Sequence, residues 1–201
     1  MVSDPETLAC YARMAEDYAD RFSRGEPDGD LSAFMDALPA GDGPVLDWGC
    51  GPGNSAAIMA ARGIRAEATD ASPEMAAIAR DLGIAVRVEP FEDLVWSDPY
   101  RGIWANFSLT HAPPDDVPDL IALAARALAP GGVLHLGMKT GTGTDRDRLG
   151  RFFSFWNADD LDRMTQGAGL VPFAVRHGRE RGLDDVVMPF VIHLSRRPVD
   201  G

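Results

Sequence analysis

Glycines cluster at one point of the chain, directly after a short apolar run. The run Val45–Trp48 reads VLDW, and Gly49, Gly51 and Gly53 follow it in a GxGxG pattern. Glycine allows a backbone to approach a ligand without a side chain in the way. Asp70 ends the next strand-like segment, and a carboxylate there can accept two hydrogen bonds from a ribose diol. The spacing therefore predicts a site for a cofactor that contains a ribose.

Two cofactors combine a glycine loop with a ribose-binding acid, namely a dinucleotide and S-adenosylmethionine. The dinucleotide fingerprint is GxGxxG, in which the last glycine allows close packing of a helix on a strand. In this chain Asn54 and Ser55 follow the GxGxG run, so the third glycine comes one position early. The pattern favours S-adenosylmethionine.

Three segments resemble motifs of the class I S-adenosylmethionine-dependent methyltransferases and occur in that family's order. Residues 45–54 (VLDWGCGPGN) resemble its first motif, and residues 70–75 (DASPEM) resemble its second. Residues 129–134 (APGGVL) resemble the turn before its fifth strand. The chain is also similar, more loosely, to small members of the tellurite-resistance type. The resemblance extends over about residues 35–140.

The resemblance implies roles for the residues at matching positions. Asp47 faces the amino group of the cofactor, Asp70 holds the ribose hydroxyls, and the apolar residues after strands 2 and 3 flank the adenine. Many members carry an acid where this chain has Pro90, so the contact to the adenine amino group is open between Glu92 and a backbone carbonyl. The implied cofactor-binding set is Asp47, Gly49, Cys50, Gly51, Gly53, Asp70, Ala71, Met75, Phe91, Glu92, Asn106 and Phe107.

Further residues are candidates for the acceptor side of the site. His111 follows the fourth predicted strand, on the rim that faces the transferable methyl group in this family. Its ordinary pKa lies near neutrality, so it is a candidate general base. The alternative is an exposed or capping residue before the turn at Pro113.

A basic cluster follows the fifth predicted strand. Lys139, Arg148 and Arg151 stand out in an acidic chain and are candidates for holding a carboxylate or phosphate, the alternative being a solvated loop. Tyr11 and Tyr18 resemble the tyrosines of a cap helix that closes over the cofactor, the alternative being core packing.

Composition restricts the possible partners. The chain has 201 residues with 31 Asp and Glu against 19 Lys and Arg, and a net charge of −12 argues against nucleic acid. Its apolar stretches are shorter than the roughly 20 residues that span a bilayer, and the N-terminus lacks the pattern of a secretory signal. Two cysteines and scattered histidines predict neither a disulfide network nor a metal site. We expect a cytoplasmic protein with a small-molecule acceptor, no nucleic acid and no membrane partner.

Alternating strand and helix signals define the elements that must position these residues. The predicted strands cover residues 45–48, 64–69, 84–89, 101–107 and 133–138, followed by an antiparallel hairpin of 170–177 and 186–196 with its tip at 178–185. The predicted helices cover residues 4–23, 31–38, 55–62, 72–82, 115–128 and 157–168, and residues 139–151 are predicted as a polar loop. This order predicts an α/β fold, a Rossmann-like doubly wound sheet that is mostly parallel with an antiparallel C-terminal hairpin strand. Residues 1–40 are predicted as a helical cap and 41–201 as the cofactor-binding domain.

These features together predict a methyltransferase that uses S-adenosylmethionine on a small molecule, with anionic molecules among the candidates. Two alternatives stay open at this point. One is an NAD(P)-dependent oxidoreductase on a similar sheet, and the other is a module that binds S-adenosylmethionine without catalysis.

Overall fold

A seven-stranded sheet runs through the computed structural model, which describes residues 4–199. The strands are β1 (Val45–Trp48), β2 (Ala66–Asp70), β3 (Val86–Val88), β4 (Tyr100–Asn106), β5 (Leu128–Lys139), β6 (Thr144–Arg146), β7 (Phe152–Ser154), β8 (Val171–Arg181) and β9 (Val187–Arg196). The order in the large sheet is β3-β2-β1-β4-β5-β9-β8, and β6 and β7 form a separate antiparallel pair.

The first five strands of the large sheet are parallel, and β9 runs antiparallel to both of its neighbours. This confirms the predicted fold class. Because parallel strands end at the same edge, the ends of β1, β2, β4 and β5 bring four chain segments together there. The glycine loop, Asp70, Phe107 and Lys139 are therefore neighbours in space although they are far apart in the sequence.

Seven α-helices and two short 3₁₀ helices (Phe91–Asp93 and Leu109–His111) are described, and the α-helices cover both faces of the sheet. They are α1 (Pro5–Arg13), α2 (Ala15–Phe22), α3 (Gly29–Ala37), α4 (Asn54–Ala61), α5 (Pro73–Asp81), α6 (Val117–Ala127) and α7 (Ala158–Gly167). Predicted caps are present, since Asp4 accepts the N–H of Thr7 at 2.8 Å and Ser72 accepts that of Met75 at 3.2 Å. Asn157 caps α7 in a reciprocal capping box. No helix within residues 4–199 is long and apolar enough to cross a membrane.

The core lies in two layers, because buried strand residues alternate between the two faces. Val45 and Trp104 pack against Phe34 of α3 on one face. Leu46 and Ile103 pack under α6 on the other face. Burial on both faces explains why the parallel strands are nearly continuous apolar runs, which is what made them detectable in the sequence.

One long N-terminal helix over residues 4–23 was a wrong prediction. The chain forms α1 and α2, with Met14 between them at φ −112° and ψ 14°. Met14 is the C-cap of α1, and its N–H donates to the carbonyls of both Cys10 and Tyr11. The apolar spacing continues across the break, so periodicity alone did not reveal it.

Residues 139–151 were also wrongly predicted as a loop throughout, because they include β6. All three residues of β6 are exposed, so the segment lacks the alternation of a half-buried strand. The β6–β7 pair lies against α1. Arg146 forms ion pairs with Asp4 at 2.6 Å and Glu6 at 3.3 Å, and the Phe152 N–H donates to Thr7 Oγ1 at 2.8 Å.

The C-terminal hairpin is confirmed, but its predicted tip at 178–185 is too long. Strand β8 continues to Arg181 and β9 begins at Val187, which leaves residues 182–186 as the turn. Most of β8 is exposed and its last residues are charged, so hydrophobicity did not mark them as strand.

The division into a cap and a binding domain stays a prediction. Leu31 and Phe34 of α3 are fully buried in the core, so the third helix of the predicted cap contributes to the packing of the sheet. Residues 1–3 and 200–201 of the two predicted units lie outside the described residues.

Candidate functional site

A cavity of about 910 Å³ lies at the carboxyl edge of the parallel strands. Its walls come from the loops after β1, β2, β4 and β5, from α1 and α2, and from β8. The volume is within the usual range of small-molecule sites, roughly 300–1,000 Å³. Its position is where open α/β sheets bind their ligands.

The glycine loop is tied to the end of β2 and is left-handed at three positions. Gly49 N and Cys50 N both donate to Thr69 O at 2.9 Å. Gly49, Gly51 and Gly53 have φ values of 75°, 54° and 82°, a region that other residues rarely adopt. All three glycines are therefore required by the backbone path of the loop.

The space around each of the three glycines shows whether it serves packing within the protein or leaves room for a ligand. A Cβ at Gly49 would come within 2.5 Å of Ser108 Cβ, and one at Gly53 within 2.6 Å of Ala79 Cβ. At Gly51 the nearest atom is Tyr18 Cε1 at 4.0 Å, across the cavity. Gly49 and Gly53 thus allow close packing within the protein, whereas Gly51 leaves open a space that a ligand can fill.

Asp70 lies beside this open position. Its Oδ2 accepts the Gly51 N–H at 2.7 Å and its Oδ1 accepts the Ser72 N–H at 2.8 Å. Burial raises the pKa of Asp70, and the two N–H donors act in the opposite direction. Each carboxylate oxygen keeps a further lone pair, so the group can still accept both hydroxyls of a diol.

Asp47 is buried under the loop and lines the cavity. The N–H of Ala56, in the first turn of α4, donates to its Oδ2 at 3.1 Å. Burial raises the pKa of Asp47 to about 7. A cationic group in the cavity would stabilise the charged carboxylate, so the site suits an ammonium.

Apolar side chains complete this end of the cavity. Ala71, Met75 and Phe91 line it, and Phe91 packs edge-on against Trp48 with ring centroids 5.5 Å apart. Of the predicted cofactor-binding residues, the cavity is lined by Asp47, Gly49, Cys50, Gly51, Asp70, Ala71, Met75, Phe91, Asn106 and Phe107. Gly53 packs behind the loop and Glu92 is exposed beside it, so both lie outside the lining and their contacts to a cofactor stay predictions.

His111 also lines the cavity, in a chain of hydrogen bonds. Its Nδ1 is 2.6 Å from the carbonyl oxygen of Phe152. A carbonyl only accepts, so Nδ1 carries the proton and Nε2 accepts the Tyr11 hydroxyl at 2.8 Å. The Tyr11 oxygen in turn accepts Nη1 of Arg151 at 3.1 Å.

The charge state of His111 follows from its burial. Burial lowers its pKa to about 4, and Arg151 and Lys139 add to the depression, so the imidazole is neutral near pH 7. Its Nε2 is already occupied by Tyr11, so any proton from the cavity reaches His111 through the Tyr11 hydroxyl. The role of His111 as a general base stays a prediction.

Two of the three predicted basic residues line the cavity. Arg151 lies between the rings of Tyr11 and Phe153, 5.5 Å and 5.2 Å from their centroids. Lys139 lies over the ring of Phe107 at 4.6 Å. Arg148 is exposed and outside the lining. Tyr18 also lines the cavity, edge-on to Tyr11 with ring centroids 5.7 Å apart.

Sequence reasoning missed Arg24, which also lines the cavity. Its Nη2 donates to Ser55 Oγ at 3.3 Å, and it pairs with Asp28. Its positive charge acts on the Asp47 carboxyl. Arg24 lies in the polar loop between α2 and α3, where no spacing rule marks it.

The backbone of Phe107 is strained. Its φ is 56°, an uncommon value for a non-glycine residue and of the kind found at functional sites.

No group of three or more His, Cys, Asp or Glu side chains within residues 4–199 is arranged to hold a metal ion. The cavity instead combines a carboxylate end, lined by Asp47 and Asp70, with the buried cations Lys139 and Arg151. The residues at the carboxylate end fit a ligand with a diol and an ammonium.

Comparison with known proteins agrees with this geometry. Residues 45–132 match the family model described as a methyltransferase domain, and these residues contain the glycine loop, Asp70 and His111. Residues 45–132 thus form a domain of the class I S-adenosylmethionine-dependent methyltransferases. The family resemblance predicted from the sequence motifs is confirmed.

Curated methyltransferases are similar over part of their length. Trans-aconitate 2-methyltransferase of Methylobacterium nodulans is 34% identical over 158 residues, which are 76% of this chain and 54% of that protein. The enzyme of the same name from Variovorax paradoxus is 39% identical over 99 residues, 47% of this chain and 38% of that protein. The chain thus spans about half the length of these relatives, or less.

Solved methyltransferase structures share the fold. The 1,6-didemethyltoxoflavin-N1-methyltransferase of Burkholderia thailandensis, solved with S-adenosylhomocysteine, has a TM-score of 0.73 at 20% identity, covering 96% of this chain and 88% of that one. TehB from Haemophilus influenzae has a TM-score of 0.71 at 17% identity, covering 91% and 67%. At these identities the likeness shows the fold, which is the predicted one.

Proposed function

We propose that this methyltransferase transfers the methyl group of S-adenosylmethionine to a small molecule that carries a carboxylate. The observation that carries the proposal is a single cavity lined by two chemically distinct sets of residues. Asp47 and Asp70 line it beside the open space at Gly51, and the buried cations Lys139 and Arg151 line it as well. The carboxylates suit the cofactor, and the cations suit an anion.

Each residue of the cofactor end has a defined task. Asp70 accepts the hydroxyls of the ribose, Asp47 attracts the ammonium of the methionine part, and Gly51 allows the backbone to approach. Phe91 and Met75 flank the adenine. S-adenosylmethionine supplies a methyl group that is already activated by its positively charged sulfur.

A carboxylate acceptor does not need a free base in the cavity. A carboxylate carries no proton near pH 7, so its methylation requires orientation and exclusion of water more than proton removal. Lys139 and Arg151 are placed to bind such an anion, while His111 holds Tyr11 and Arg151 in position. The names of the trans-aconitate 2-methyltransferases, whose substrate is a carboxylate, support this acceptor class.

Other partners fit the chain less well. A net charge of −12 disfavours nucleic acid, and the family assignment disfavours the nicotinamide alternative. A cytoplasmic location stays a prediction from the sequence.

Calorimetric titration with S-adenosylhomocysteine, with NADH in a parallel cell, tests the cofactor. We expect micromolar binding of S-adenosylhomocysteine alone. Asp70→Ala should weaken it by about 1–3 kcal/mol, because a buried diol loses a charged acceptor. Asp36→Ala, at an exposed position of α3, is the control and should leave binding unchanged. Binding of NADH alone, or unchanged affinity in Asp70→Ala, would refute the cofactor assignment.

Transfer of a labelled methyl group then tests the acceptor. The panel pairs trans-aconitate and smaller carboxylates with their uncharged esters, and only the anions should be methylated. Tight binding of S-adenosylhomocysteine with no turnover of any carboxylate would contradict the proposed acceptor class and favour a non-catalytic module.

A further inference from the structure

The two buried cations of the cavity, Arg151 and Lys139, pair with carboxylates that differ greatly in exposure to solvent. Arg151 donates to Asp147 Oδ2 through Nε at 2.8 Å and Nη2 at 2.6 Å, and the two side chains are only 6% and 7% exposed. Asp147 also accepts the backbone N–H groups of Leu149 and Arg151, each at 2.9 Å. Moving this carboxylate would leave four buried donors without a partner, so the pair is permanent.

Lys139 has a counter-ion that is far less restrained. Its Nζ donates to Glu180 Oε1 at 2.7 Å, and its side chain is 8% exposed against 40% for Glu180. Glu180 lies on β8, the edge strand, where water already hydrates much of the carboxylate. When the pair separates, water can hydrate the Glu180 carboxylate, so the free-energy cost at Glu180 is small. Lys139, in contrast, would become a buried charge without a partner.

The Lys139 ammonium has donors to spare on the cavity side. An ammonium has three N–H groups, and Glu180 accepts one of them. The ammonium also lies over the ring of Phe107, 4.6 Å from its centroid, which uses no N–H in a hydrogen bond. An anion that enters the cavity can thus reach Lys139 while Glu180 is still bound.

We propose that Glu180 is a displaceable counter-ion, which Lys139 exchanges for a carboxylate of the methyl acceptor. The inference rests on the proposed function and adds a residue that selects acceptors by charge. An anion replaces one carboxylate by another and releases Glu180 into water. A neutral molecule cannot replace Glu180, so the Lys139–Glu180 ion pair stays formed and adds nothing to the affinity for that molecule.

Binding of a probe to the protein loaded with S-adenosylhomocysteine tests this exchange without requiring turnover. The probes are trans-aconitate and its uncharged trimethyl ester, measured by calorimetry. Glu180→Gln removes the competing charge, so it should bind trans-aconitate about five- to tenfold more tightly, with no change for the ester. Lys139→Met should bind trans-aconitate at least about tenfold more weakly. The double variant should bind trans-aconitate as weakly as Lys139→Met does, because without Lys139 there is no ammonium for which Glu180 competes.

Controls separate this inference from the proposed function. Glu26→Gln removes an exposed ion pair with Arg62, away from the cavity, and should leave both probes unaffected. If the unaltered protein does not bind S-adenosylhomocysteine, that result contradicts the proposed function itself. Normal cofactor binding combined with equal or weaker trans-aconitate binding in Glu180→Gln would overturn the exchange. The absence of trans-aconitate binding in every variant would overturn it as well.

Discussion

The substitution Gly51→Ala tests whether the open space at this glycine is used by a bound ligand and not by packing within the protein. Residue 51 has a φ of 54°, which costs a residue with a Cβ about 1–2 kcal/mol. The nearest atom to the added methyl would be Tyr18 Cε1 at 4.0 Å, so no steric cost is added within the protein. For a chain of this size the loss corresponds to roughly 2–8 °C in melting temperature.

The change should also weaken ligand binding, which backbone strain alone would not do. The added methyl group projects into the space beside Asp70, where the cofactor has to approach the backbone. We expect S-adenosylhomocysteine to bind at least about tenfold more weakly, a loss of about 1.4 kcal/mol or more. Calorimetry measures the affinity, and thermal unfolding measures the stability of the same sample.

Two other glycines provide matched comparisons. Gly63 has a φ of 76° with no atom within 4 Å, so Gly63→Ala carries the same backbone strain away from the cavity and should leave affinity unchanged. Gly49→Ala adds a 2.5 Å approach to Ser108 Cβ and should destabilise by about 2–5 kcal/mol, since overpacking is added to strain. The reasoning is refuted if Gly51→Ala binds as tightly as the unaltered protein, or if Gly63→Ala loses as much affinity.

Two further predictions concern the carboxylate end of the cavity and the contact between α1 and the β6–β7 pair. Because burial raises the pKa of Asp47 to about 7 and only its charged form attracts an ammonium, S-adenosylhomocysteine affinity should fall as the pH drops below about 7. Binding near pH 6–7 should then release a proton, detected as a heat that varies with the buffer, and Asp47→Asn should abolish both effects; a flat pH profile would contradict the assignment. Arg146→Ala removes the ion pairs to Asp4 and Glu6 and should speed S-adenosylhomocysteine dissociation, with a difference that shrinks in high salt, while the melting temperature hardly changes. Equal dissociation rates in stopped-flow measurements would show that these pairs do not hold α1 over the cavity.

Local patterns in the sequence were sufficient for most of the sheet. The apolar run at Val45–Trp48, the glycines after it and the cap at Ser72 are short-range signals, and the structure confirms the elements that they predicted. The parallel order follows from alternating strands and helices, because right-handed crossovers leave few other arrangements.

Many individual residues of the site were predictable from the sequence, but the contacts between them were predictable only within motifs. Asp70 and the glycine loop belong to one short stretch of chain, whereas Tyr11 and His111 are separated by 100 positions and Lys139 and Glu180 by 41. Pairs this distant leave no periodic signal in a single sequence. The hydrogen bond that occupies His111 Nε2 and the half-exposed partner of Lys139 therefore became visible only in three dimensions.

The place of β9 in the sheet has a consequence for synthesis of the protein. Within the described residues, β9 comes after every other strand in the chain, yet it lies between β5 and β8. While the ribosome is still making residues 187–196, one edge of β5 has no strand to pair with. An open strand edge is a template for pairing with other chains. This edge of the nascent chain is thus exposed to aggregation until β9 emerges, and a pause in translation there would prolong that interval.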